Sequence, residues 1–148
     1  MKKNTLYALI ALAVTTLIYG GVKPLLFPTM AGEKDIVLSI VVDDENGDIQ
    51  VFNETVHTDS ETLGALLEEV DAFYDDLALS YQGEKTDAWG RMILSINEYA
   101  TEDMAMGPWW VINSDNNKDC IEAGFCNGID LQSVYDQDHF ELNFTSSY

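Results

Sequence analysis

Basic residues are scarce in this chain. Seven lysines and arginines and two histidines stand against 26 aspartates and glutamates in 148 residues. The scarcity is also uneven. Lys2, Lys3 and Lys23 precede the first acidic residue, Glu33, so Lys34, Lys85, Arg91 and Lys118 are the only cations in a body that holds all 26 acids, at a formal charge of −22. Such a body repels nucleic acid and anionic lipid, which excludes both as its partners. The same charge keeps it soluble and favours divalent or cationic partners.

Catalytic patterns are missing as well. The chain has no CxxC, HExxH, GxGxxG or GxxxxGK[ST] pattern, and no nucleophile-elbow motif surrounds a serine. In so acidic a chain no two carboxylates stand out for acid–base work. The reading is therefore not an enzyme. Cysteine is limited to Cys120 and Cys126. A metal centre built on them needs further ligands, and the only histidines are His57 and His139. Outside the cytoplasm a pair this close reads as a disulfide that stiffens one loop, with a chain-entropy contribution of about 2 kcal/mol.

Long uncharged runs are confined to the N-terminus. A basic start, Lys2-Lys3, is followed by an apolar stretch from Leu6 to Val22. This is the pattern of a signal peptide or signal-anchor over residues 1–28, with a linker over 29–34. No Ala-x-Ala cleavage pattern closes the run, which favours an uncleaved anchor; Lys23 can snorkel at its end. Lys2 and Lys3 would stay inside. The body, residues 35–148, is then extracytoplasmic, either anchored in the cell membrane or secreted, and it meets the membrane through the N-terminal segment only.

In the body, Ile36, Leu38, Ile40 and Val42 alternate, Asn46-Gly47 marks a turn, and Ile49 and Val51 resume the alternation. This predicts a hairpin. Thr58-Asp59-Ser60-Glu61 fits a capping box, and Leu63, Leu66, Leu67 and Val70 follow at helical spacing. Shorter strands follow at Leu77–Tyr81, Met92–Ile96, Trp109–Ile112 and Phe140–Phe144, separated by long loops over 97–108 and 113–138. A hairpin, a helix and then further strands is an α+β order, and it suits a β-grasp-like small mixed sheet crossed by one helix.

Asp115, Asn117 and Asp119 alternate like the first ligands of an EF-hand loop. The required Gly and Glu are replaced by Cys120 and Cys126. The segment is therefore not an EF-hand, and the three residues form a weak oxygen-ligand candidate beside an ordinary Asx-rich turn.

Four stretches in order, ETLGALLEE (61–69), WGRMILSIN (89–97), PWWVINSD (108–115) and YDQDHFELNF (135–144), resemble the transcobalamin-like C-terminal domain family. The resemblance spans about residues 35–146 and implies a β-grasp-like fold. In the animal cobalamin carriers of that family this domain is one jaw of a clamp around cobalamin; this chain has no room for the other, large helical jaw. The sequence departs from the family pattern at Asn113-Ser114, where the family has Asn-Gly, and at Gln137-Asp138, where it has Gly-Asp. The resemblance implies a small-ligand-binding module, with a corrinoid as the ligand and no resident cofactor beyond it.

Alternation puts one indole of Trp109-Trp110 inward and the other on the open sheet face. An exposed indole is a flat apolar platform with one N–H donor. Asn113, Tyr99 and Trp89 are the further candidate ligand-binding residues. The alternative is a cell-surface protein-interaction or adhesion domain that uses the same aromatic face.

Overall fold

The computed structural model describes residues 30–146. The predicted signal or anchor segment lies outside them. The described chain is α+β. A four-stranded mixed sheet has the order β2-β1-β7-β6, and a second, three-stranded sheet has the order β3-β4-β5. The strands are β1 (Lys34–Val42), β2 (Ile49–Thr58), β3 (Leu79–Gln82), β4 (Met92–Ile96), β5 (Tyr99–Ala100), β6 (Trp109–Asn113) and β7 (His139–Thr145). The helices are α1 (Leu63–Phe73) and a short α2 (Lys118–Ala123).

The period-two pattern of β1 does what it implies. Ile36, Leu38, Ile40 and Val42 are buried and join Phe140, Leu142 and Phe144 of β7 in one core. Leu63, Leu66, Leu67 and Val70 of α1 complete that core, each fully buried. Removing such side chains from water is the main favourable contribution to folding, roughly 1.5–3 kcal/mol each.

The capping box is displaced. Thr58 ends β2, and its hydroxyl bonds Glu69 and accepts from the Ser60 N–H. The helix N-cap is Thr62, whose hydroxyl accepts from the Ala65 N–H. The remaining first-turn donors find distant carbonyls: Leu63 N–H bonds Gln132 O at 2.9 Å, and Gly64 N–H bonds Ile129 O at 2.8 Å. A helix start leaves its first N–H groups without intrahelical partners. Here the 128–133 loop satisfies them and is fixed against α1. A Cβ at Gly64 would lie 2.4 Å from Asp130 Oδ1, so a larger residue there would push that carboxylate aside.

Residues 30–33 are docked on the body. Met30 is buried, Glu33 N–H bonds Asp59 Oδ1, and Gly32 runs so close to Thr58 that a Cβ would lie 2.2 Å from its carbonyl carbon.

The hydrogen-bond phase of the main sheet positions β6. Val37 N–H bonds Asp138 O, and Asp43 N–H bonds Phe144 O. The even-numbered residues of β7 thus turn their main-chain groups toward β1, and the odd-numbered ones toward β6. With Val111 opposite Asn143 and Ile112 opposite Leu142, the main-chain groups of Trp110 and Ile112 point away from β7. They point off the edge of the sheet, which β6 ends.

Candidate functional site

Trp110 and Ile112 lie opposite the buried Phe144 and Leu142, so their side chains share the inner face; Trp109, Val111 and Asn113 lie opposite Thr145, Asn143 and Glu141 on the other face. The two indoles therefore take opposite sides of the sheet. Trp110 is buried, tilted against Phe144 at 4.9 Å between ring centroids, with its indole N–H on Tyr99 O at 3.2 Å. Trp109 is half-buried, and its N–H bonds Met104 O at 3.0 Å. The turn that brings Met104 there is built on Asp103. Its carboxylate accepts from Ala105 N–H, and its carbonyl accepts from Met106 and Gly107 N–H. Gly107 sits at φ +68°, and a Cβ there would lie 2.7 Å from the Trp109 ring. Only glycine permits this closeness. The following Gly107–Pro108 peptide is cis.

Between the start of β4, this turn and β6 lies a cleft of about 120 Å³, lined among others by Met92, Met104, Trp109, Trp110, Ile112 and Ile129. Arg91 borders it but is fully engaged. Its guanidinium bonds both carboxylate oxygens of Asp130 at 2.7 and 2.9 Å and Glu68 at 2.7 Å, and it covers the Tyr81 ring at 4.7 Å. The Arg91 hydrogen bonds hold the Asp130 carboxyl below the usual range; the Lys85 hydrogen bond, then Arg91, does the same for Glu68. Burial, then the Asp71 charge, pushes the Tyr81 hydroxyl well up, and its oxygen is buried without a hydrogen-bond partner. This network ties α1, β4 and the 128–133 loop together behind the cleft.

A second, wider groove of about 610 Å³ adjoins the first and shares Trp110, Ile112 and Gly128 with it. Residues 110–114 line one wall in succession; Cys120 and residues 124–128 form the other. That wall is the disulfide loop. Cys120 and Cys126 are bonded, as expected, and close a loop of six-residue separation. The exposed Phe125 stands on it.

The structure thus brings Trp109 and Trp110 to the cleft and Asn113 to the adjoining groove. Tyr99 lines neither; it packs beside Phe144 and supplies its carbonyl to Trp110. Trp89 lines neither and is 76% exposed, with its carbonyl against Gly128. Met92, Met104, Ile129 and Phe125 were not singled out in the sequence. The methionine pair Met104 and Met106 in one loop and a phenylalanine between the two cysteines were the available signals.

The three oxygen-ligand candidates are not gathered. Asp115 is exposed and faces His139 at 3.5 Å. Asp119 accepts from the Tyr135 hydroxyl at 3.0 Å. Asn117 is fully buried as the α2 N-cap. Its Oδ1 accepts from the N–H of Asp119 and Cys120 and from Gln132 Nε2, and its amide donates to Ser133 O and Asp138. An oxygen that already accepts three hydrogen bonds has no lone pair left for a cation. Among the described residues no group of three or more His, Cys, Asp or Glu side chains is arranged to hold a metal ion. No described helix is long and apolar enough to cross a membrane.

No protein-family model matches this chain, and no curated protein does. Among solved structures it is similar to a proposed metal-binding protein from Ruminococcus gnavus, at 23% identity and a TM-score of 0.54, over 78% of this chain and all of the other. Likeness at that identity speaks to the fold alone. The disulfide itself indicates an oxidising, extracytoplasmic compartment.

Proposed function

We propose that this chain is an extracytoplasmic, membrane-attached binding module of β-grasp-like, transcobalamin-like architecture, and that its apolar cleft holds one edge of a small ligand. The observation that carries this reading is the cleft itself: Trp109, Trp110, two methionines and three isoleucines line one hollow, backed by an ion network. Small-molecule sites are concave and mostly apolar. At about 120 Å³ the cleft takes a ligand edge and leaves the rest to the wider groove or to a second protein. A corrinoid fits the family resemblance, and the methyl groups on its amide-bearing rim suit an indole wall. No catalytic step belongs to this reading. Metal binding is not carried over from the structural neighbour, because this chain's oxygen candidates are already bonded or apart.

Titration of the full chain with cobinamide and cobalamin tests the reading through tryptophan fluorescence and corrinoid absorbance. Saturable quenching that weakens in Met104→Ala is the expected result. No response up to near-millimolar corrinoid would remove the ligand assignment. A second reading, a surface protein-interaction domain, is favoured by the exposed Trp89, Met106 and Phe125, each more than 60% accessible. Of the three, Phe125 lines the wider groove, and large exposed apolar side chains beside a groove are a mark of a contact surface.

A further inference from the structure

We propose that the groove beside β6 receives an extended, basic peptide segment as an added strand; this rests on the interaction reading and not on the corrinoid one. The first ground is geometric. The groove is lined by residues 110–114 without a gap, so it runs along the strand and not across it. β6 ends its sheet, and the bond phase set by Val37 and Asp43 turns the N–H and C=O of Trp110 and Ile112 outward along this wall. An edge of this kind is a template for another strand. Five residues of β6 offer a length of about 17 Å, enough for a peptide of similar size. Phe125 on the far wall, and the smaller cleft at one end, offer apolar contacts for alternate side chains.

The second ground is charge, and it selects the occupant. Glu102 and Asp103 flank the cleft residues in sequence, and Asp115 and Glu122 flank those of the groove; all four are exposed. Each cation of the body is already engaged. Lys34 bonds Ser60 O and faces Glu61, Lys85 and Arg91 hold Glu68, Arg91 also holds Asp130, and Lys118 lies over the Tyr135 ring. An acidic strand meets no free cation among these. A second copy of the chain would bring a second body of −22. A lysine- or arginine-bearing strand meets a body of opposite sign.

The test uses the full chain in detergent micelles and an end-capped hexapeptide alternating lysine and valine. Two comparison peptides accompany it: one N-methylated at alternate residues, and one with glutamate in place of lysine. The lysine–valine peptide is expected to bind saturably and to slow amide hydrogen exchange at Trp110 and Ile112. N-methylation, which removes main-chain donors but keeps charge and apolar area, is expected to weaken binding about tenfold or more. Ile112→Pro, which deletes an outward N–H at a sheet edge, is expected to weaken it as well. Equal binding of the N-methylated peptide would overturn strand addition and leave the interaction reading standing. Binding of neither lysine peptide would overturn both. Equal binding of the glutamate peptide would overturn the basic partner.

Discussion

At the scale of single residues, Arg91 and Asp130 carry the most consequence. Their side chains are 11% and 8% exposed and meet at 2.7 Å. Removing one member of a buried pair leaves the other uncompensated. Asp130→Ala is expected to lower unfolding free energy by about 3 kcal/mol in a urea titration. The pH dependence follows from the sign of the shifts. The carboxyls of Asp130 and Glu68 are held below their ordinary values, so the folded state binds protons there less readily than the unfolded chain. Their contribution is complete above about pH 4, the ordinary carboxylate range, and is lost as pH falls through the lowered values. Melting temperature should therefore drop in acid, and Asp130→Asn should flatten part of that drop. A variant with an unchanged acid profile would contradict the assignment. Residue types alone did not reveal this pair, since its members stand 39 positions apart in an acid-rich chain.

At the scale of elements, period was the legible part. The stripe of α1, the alternation in β1 and β7 and the bounds of β4 follow from apolar spacing, because each element buries one face. What spacing does not encode went unread. The helix start moved from Thr58 to Thr62 because β2 runs on to Thr58 and α1 takes its donors' partners from the 128–133 loop. The two-residue β5 and the six-residue α2 are too short for any period to show. Asn117 before α2 and Gly124 after it, at φ +78°, were its visible cues. The Asp115–Asp119 alternation resembled a ligand set, yet its central member is a cap. The disulfide was legible from two cysteines in an otherwise cysteine-free chain. Its reduction should lower stability by about 2 kcal/mol, measured as a shift of the denaturant midpoint with and without reductant. An unchanged midpoint would mean that the α2 loop is held by the Asn117–Gln132–Asp138 network alone.

At the scale of the whole molecule, a strongly acidic body keeps a methionine- and tryptophan-lined hollow between its two sheets. The sequence pointed to the two indoles but not to the walls opposite them, because β4, the Met104 turn and Ile129 reach the cleft through tertiary packing. This hollow is the proposed place where a ligand is held. The most direct measurement is the NMR signal of the three indole N–H protons as cobinamide is added to the full chain. Shifts are expected at Trp109 and Trp110, which line the cleft, with little change at Trp89, which does not. Movement of Trp89 alone, or of none of the three, would contradict that placement.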